Sequence, residues 1–415
     1  MSHLPALTLA ELKLFAAFSI FLTCYFVFAV GKFPGMKIDR PGAAIIGAVL
    51  MVALGIVRPD RALSAIDFKT LVLLFSMMLI VAALHLAGFF EWITQWVVEH
   101  LRPRHLLPTV IFLSGLLSAF FVNDIICLAM VPFVLTTARR MGVKPLPYLL
   151  AVATASNIGS VATITGNPQN MIIGSYSGIS YFAFLYHLGP VAVAGLFLDW
   201  LILAKAFPAA EVPESQAGEF ESGAAPAISP LVKPGVVILI VLAGFLAGAP
   251  PAMMAAFGAA VMLITRTREP RQVYEQVDWG LLVFFAGLFV IIQGVENAGI
   301  TDDLLRLARP LDIQSAGVFT VVTATLSNIV SNVPAVMLLK SMVPKFANPH
   351  VGWLVLAMAS TLAGNLTITG SVANIIVVER SRDVAEIGFG DYFRVGLPVT
   401  ALTLVVGSVW LWWIK

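Results

Sequence analysis

Thr163-Ile164-Thr165-Gly166-Asn167-Pro168-Gln169-Asn170 returns as Thr367-Ile368-Thr369-Gly370-Ser371-Val372-Ala373-Asn374, 204 residues further along the chain. Two more echoes keep the same order. Ser118–Asn123 (SAFFVN) matches Ser327–Asn332 (SNIVSN) at an offset of 209, and Asp67 with Ala87-Gly88 matches Asp278 with Ala298-Gly299 at 211. Three features in one order at a nearly constant spacing define an internal repeat. A stretch rich in Gly, Ser, Ala and Pro, carrying Glu211, Glu214, Glu219 and Glu221, separates the copies. The chain thus divides into a first repeat over 1–207, a linker over 208–233 expected on the cytoplasmic side, and a second repeat over 234–415.

Composition says what solvent the repeats meet. Of 415 residues, 59% are hydrophobic and 12% charged, with a mean hydropathy of +0.93. A soluble domain carries roughly 25% charged residues, so lipid is the expected surroundings. The formal net charge is +2 and the basic residues are scattered, which gives no reason for a nucleic-acid partner. Two cysteines, Cys24 and Cys127, supply neither a disulfide framework nor a zinc cluster. The apolar run after Lys13 is long enough to span and is expected to stay as a helix.

A membrane helix needs about 20 apolar residues. Candidate spans are Leu12–Val30, Pro41–Val57, Thr70–Val98, Leu149–Ser175 and Tyr181–Phe207, then Pro234–Gly248, Ala252–Thr265, Trp279–Ala298, Trp353–Val378 and Phe393–Trp413. Two segments, 106–137 and 313–342, are apolar but carry Asn, Ser, Asp and Pro near their middles. Each is long enough for two short helices, so both are expected to be re-entrant hairpins with polar tips buried in protein. The fold expected is all-α and polytopic: two inverted repeats, each of five spans plus one hairpin, about ten spans in all. Five is odd, so the second repeat enters from the opposite face. Basic residues such as Arg102, Arg104, Arg139, Arg140, Lys144, Arg266, Arg268, Arg271, Arg380 and Arg382 favour one face, which places both termini outside. Trp410, Trp412 and Trp413 beside Lys415 form an interfacial aromatic belt.

Hairpin tips and broken helices expose amides and carbonyls and aim helix dipoles at one point. The first repeat offers Asn123 and Asp124 at its tip, facing Asn157, Thr163, Thr165, Gly166, Asn167 and Asn170 in the broken helix 149–175. The second offers Asn328, Ser331 and Asn332, facing Asn365, Thr367, Thr369, Gly370, Ser371 and Asn374 in the broken helix 353–378. Gly166 and Gly370 permit unwinding, and Pro168 removes an amide donor so that the first break stays open. Asparagine both donates and accepts, which suits hydroxylated or oxyanionic solutes and also coordinated sodium. Small polar residues also hold membrane helices together. Two copies, each following a polar-tipped hairpin, are what raise the set above that. No dedicated metal ligands and no cofactor are expected.

Ionisable groups inside spans are functional candidates. Asp124 lies at a tip and its repeat partner is Val333, so it is expected to carry a coupling proton, with a cation ligand or an acceptor for backbone amides as alternatives. Asp199 near Lys205 is expected to be a simple pair or to snorkel at the rim, and Glu296, His85 and His187 to be interface or packing residues, with a place in a proton path as the alternative. Arginine is absent from both motifs, which argues against fixed binding of a multiply charged anion.

Ser156–Ser175 (SNIGSVATITGNPQNMIIGS) and Ala363–Glu379 (AGNLTITGSVANIIVVE) resemble the ion transporter superfamily of arsenite-efflux permeases and sodium–dicarboxylate symporters. The branch most similar is that of the arsenite permeases and plant silicon-efflux transporters. Phe120–Pro132 (FFVNDIICLAMVP) is similar to the arsenite-permease hairpin. The resemblance covers nearly the whole chain. It implies a scaffold, a mobile part holding both hairpins, elevator-type movement and a homodimer in lipid. By motif position, Asn123, Asn167 and Asn170 would form one half-site and Asn332 and Asn374 the other. The dicarboxylate pattern of Ser-Asn-Thr at each tip becomes Val122-Asn123-Asp124 and Ser331-Asn332-Val333 here. Hydroxyls are lost and an acid is gained. The expectation is an inner-membrane secondary transporter, not an enzyme, that exchanges protons for a small hydroxide or oxyanion such as arsenite or silicic acid. The alternative is a sodium-coupled dicarboxylate or inorganic-anion symporter. Two distant cysteines cannot capture arsenite as thiolates, so it would be held as a neutral hydroxide by hydrogen bonds.

Overall fold

A computed structural model describes residues 8–208, 229–264, 269–301, 303, 306 and 312–414. The linker residues Glu211, Glu214, Glu219 and Glu221, together with Arg266, Arg268 and Lys415, lie outside the described residues. The first half runs α1 (Leu9–Val30), α2 (Arg40–Ala53), α3 (Pro59–Ala65), α4 (Phe68–Leu86), α5 (Phe89–His100), α6 (Pro103–Phe120), α7 (Asn123–Arg140), α8 (Leu146–Ser160), α9 (Pro168–Ser177) and α10 (Tyr181–Ala206). The second runs α11 (Ser229–Leu246), α12 (Pro251–Leu263), α13 (Pro270–Tyr274), α14 (Trp279–Asn297), α15 (Ala316–Val330), α16 (Asn332–Leu339), α17 (Pro349–Ala363), α18 (Val372–Ser381) and α19 (Phe389–Trp413). The order is the same in both.

Six of these helices (α1, α4, α10, α11, α14 and α19) are long and apolar enough to cross a bilayer alone. The shorter α2 and α12 are apolar as well, and α8–α9 and α17–α18 are pairs of helices broken in the middle. Helices α6–α7 and α15–α16 are the two hairpins. Punctuation is local: proline occupies the first turn of α2, α3, α6, α8, α9, α12, α13 and α17, where its missing N–H costs nothing. The expected single span Thr70–Val98 is instead two helices. Gly88, at φ +86°, ends α4 and starts α5 in a conformation that suits glycine alone.

The halves are interlocked. Helix α2 packs on α14 of the other half, and α12 packs on α4, so each repeat supplies what its counterpart lacks. Close approach uses small residues, as membrane helices require. A Cβ on Gly287 would meet the Ala44 carbonyl at 2.6 Å, and one on Gly159 would overlap the Gly115 carbonyl where α8 crosses α6. Helices α8 and α17 are buried on every side from Leu149 to Ser160 and from Gly352 to Ala363, which puts both at the centre of the bundle.

Asp199 departs from the expected pair at the rim. It is wholly buried (0% exposed) and hydrogen-bonded to Thr154 rather than to Lys205, because α10 packs this face against α8.

Candidate functional site

The two chain breaks, 161–167 and 364–371, are closed by the same device. Asn170 Nδ2 donates to the carbonyls of Ser160 (3.1 Å) and Thr163 (3.0 Å), and Asn374 Nδ2 donates to those of Gly364 (2.7 Å) and Thr367 (3.0 Å). These are carbonyls that a terminating helix leaves without partners. Each hairpin tip docks on the break of its own half. The backbone N–H of Asn123 donates to Gly166 O (2.9 Å), Thr163 Oγ1 to Ala119 O, and Thr165 Oγ1 to Phe120 O (3.2 Å). In the second half Asn328 Nδ2 donates to Ala363 O (2.9 Å). The Asn332 amide, turned so that its nitrogen faces acceptors, lies within donating distance of Ser327 Oγ (2.6 Å), Ser360 O (3.0 Å) and Gly370 O (3.0 Å), two of which its two hydrogens serve at once. Ser331 at that tip sits at φ +77° and ψ 159°, a region essentially reserved for glycine, and such strain collects at functional turns.

Asn157 joins the two halves. Its Oδ1 accepts from Asn123 Nδ2 (3.0 Å) and Ser371 Oγ (3.0 Å), and its Nδ2 donates to Asn365 Oδ1 (2.9 Å) and Asn374 Oδ1 (3.0 Å). A second bridge runs from Asn167 Nδ2 to Thr361 Oγ1 (3.2 Å). Asn167 also caps α9 through Asn170 N (2.9 Å), whereas Ser371 makes no cap bond and spends its hydroxyl on Asn157.

In front of Asn157 lies a cavity of about 180 Å³. Of the residues singled out in the sequence, Asn123, Asp124, Ser331, Asn332 and Ser371 form its wall. Asn157, Thr163, Thr165, Gly166, Asn167, Asn170, Asn328, Thr367, Gly370 and Asn374 stand behind or beside the wall as its support, and Thr369 is exposed away from it. The two breaks also differ: the first is buried throughout, while Leu366–Ile368 are partly exposed.

Sequence reasoning missed Arg40, Gln169 and Asp278, all of which line the cavity. The starts of six helices (α2, α7, α9, α14, α16 and α18) converge there, and α7, α16 and α18 have no side-chain cap. Unpaired N–H groups and dipole ends draw negative charge to such a point. Arg40 adds a full positive charge beside Asp124 and Asp278, so the absence of arginine from the motifs did not leave the site without a cation. Asp278 was visible only as a repeat marker. It caps α14 through Leu281 N (2.9 Å), as Asp67 caps α4 through Lys69 N (3.1 Å). Arg40 lies outside every repeated motif and reaches the cavity through the α2–α14 exchange, which no local pattern announces.

A pocket with polar groups from both repeats, set among apolar helices, is the arrangement of a membrane transporter. The profile of the citrate transporter family matches residues 25–363, and the chain belongs to that family. It is similar to an uncharacterized transporter of Mycobacterium tuberculosis (31% identity over 95% of this chain and 98% of that protein). It is also similar to the silicon efflux transporter LSI3 of Oryza sativa subsp. japonica (29%; 90% and 92%) and to the putative transporter arsB of Dictyostelium discoideum (26%; 90% and 87%). Among solved structures, the YdaH transporter of Alcanivorax borkumensis, whose topology is described as unusual, shares the fold (TM-score 0.55, 16% identity, 98% of each chain covered). The family consists of transporters rather than enzymes.

Proposed function

We propose that the chain exports a small uncharged metalloid hydroxide, of the arsenite or silicic acid type, across the inner (plasma) membrane in exchange for protons. The observation that carries this reading is Asp124 in the cavity wall beside Asn123, Asn332 and Ser371. A neutral hydroxide is rich in O–H donors, and an ionised carboxylate is an acceptor without a hydrogen of its own. A proton on Asp124 turns one oxygen into a donor and weakens the group as an acceptor, so proton and substrate compete for one group. Competition of this kind couples the two when only the loaded carrier reorients. The silicon-efflux and arsB-like relatives agree with this substrate class. Movement of the hairpins and broken helices past α2, α4, α12 and α14 as an elevator, within a homodimer, belongs to the same reading.

Arg40 and the six converging helix starts favour a second reading, a dicarboxylate, citrate or inorganic anion carried in symport with sodium. The sign of the pH response separates them. An anion binds better once Asp124 is neutralised, and a hydroxide binds worse. Arsenite affinity measured by calorimetry is therefore expected to fall on acidification, and Asp124→Asn to bind without pH dependence. Arsenite binding that strengthens with acid, or Asp124→Asn that keeps the full pH response, would overturn the exchange. Sodium-dependent uptake of citrate, succinate or sulfate into proteoliposomes would establish the second reading in its place.

A further inference from the structure

Thr154 fixes the proton count around the buried Asp199. Its Oγ1 lies 2.9 Å from Asp199 Oδ2 and 2.9 Å from the Leu150 carbonyl. A threonine hydroxyl has one hydrogen to give and lone pairs with which to receive. Both contacts are hydrogen bonds at once only when Thr154 donates to Leu150 and Asp199 donates to Thr154. That requires a hydrogen on Asp199. The other oxygen, Oδ1, has no hydrogen-bond partner, which a neutral carboxylic acid tolerates far better than an anion does.

The surroundings agree. Helices α6, α8, α11, α17 and α19 pack against α10. No Lys, Arg or His among the described residues is within ion-pair distance of Asp199. The charged or titratable groups on those helices other than Tyr392 are occupied or nearer the surface: Arg104, His105, Asp391 and Arg394 are exposed, Tyr148 is half-buried near the start of α8, Lys233 bonds to Met262 O (3.5 Å), and His350 packs on His187 (5.2 Å between rings). Tyr392 of α19 is buried, and its hydroxyl has no hydrogen-bond partner.

One chain of contacts connects this acid to the asparagine hub. The Thr154 carbonyl accepts from Asn365 Nδ2 (3.3 Å), and Asn365 Oδ1 accepts from Asn157 (2.9 Å). We propose that Asp199 is a proton-binding site behind the transport cavity, occupied in this conformation, and that its bound proton keeps the asparagine hub in register. Ionised, it would draw the Thr154 hydroxyl away from Leu150 and disturb the turn whose Thr154 carbonyl holds Asn365. Asp199 is thus a positioning residue. Its connection to transport rests on the hub serving the proposed function, but its protonation does not.

Infrared spectroscopy of the purified full-length protein in liposomes at neutral pH reads the site directly. A protonated carboxylic-acid C=O band is expected, with one component that disappears in Asp199→Asn, persists in Asp124→Asn and shifts in Thr154→Val, which lacks the acceptor. A spectrum in which Asp199→Asn removes nothing overturns the site. In arsenite counterflow, Asp199→Asn keeps a neutral side chain of the same shape and is expected to stay within about fivefold of the unmodified rate, the size of one exchanged hydrogen bond. The unmodified protein is expected to lose activity once the pH is high enough to ionise Asp199, and Asp199→Asn to lack that decline. A folded but inactive Asp199→Asn overturns the positioning role. Absence of arsenite flux in the unmodified protein strikes at the substrate reading alone, and the infrared measurement still decides the site.

Discussion

Asn157→Ala is expected to abolish transport in proteoliposomes while the protein still folds and purifies. The Asn157 side chain makes four buried hydrogen bonds, two to the first hairpin and the second break through Asn123 and Ser371, and two to Asn365 and Asn374. Leaving a buried polar group unpaired costs about 1–3 kcal/mol. Two such groups amount to about thirtyfold in the population of the assembled site even at the lower end, about 1 kcal/mol each. The fold has other support: Asn374 keeps its bonds to Gly364 and Thr367, and Asn365 keeps Thr154. Asn157→Asp preserves the shape but replaces the donor with an acceptor facing two carbonyl oxygens, and is expected to be equally inactive. Counterflow rates alongside melting curves check the pair. Normal flux in Asn157→Ala would mean that the cavity does not depend on the bridge between the halves.

Gly166→Ala and Gly370→Ala occupy equivalent repeat positions, and the first is expected to be much the more damaging. A Cβ on Gly166 would overlap the Ser160 carbonyl, in a break that is buried throughout and whose Gly166 O receives the hairpin N–H of Asn123. On Gly370 the Cβ would meet Gly364 O at 2.8 Å and Asn328 Oδ1 at 2.9 Å, and the neighbouring chain is partly exposed. Overpacking a rigid interior costs about 1–3 kcal/mol or more, and less where a side chain can give way. Gly166→Ala should therefore lower the yield of folded protein and stop transport. Gly370→Ala should fold and transport at a reduced rate. Equal effects would argue that the two breaks are equally confined.

Much of this was legible in the sequence. The recurrence of TITG with an asparagine four residues on located both breaks, because a glycine and a carbonyl-capping asparagine are what a helix needs to stop inside a membrane and start again. Polar residues in the middle of 106–137 and 313–342 located both tips for a similar reason. The cavity was less legible. Arg40 and Asp278 reach it through packing between helices more than two hundred residues apart, and neither carries a local signature. Asp199 was misplaced at the rim because sequence position along a span says little about which face of a helix its neighbours cover. Gly88 was passed over inside Thr70–Val98, although its repeat partner Gly299 also adopts a positive φ.

The exchange of α2 and α12 between the halves constrains how the molecule is made. Helix α2 enters the bilayer early in synthesis, but its partner α14 emerges only after more than two hundred further residues. Until then a short helix with Arg40 at its head must wait in lipid with its small-residue face uncovered. Assembly of the site is therefore a late event that needs nearly the whole chain. Severing the polypeptide between Pro208 and Ser229 should leave two fragments that are each unstable alone and that recover activity when produced together.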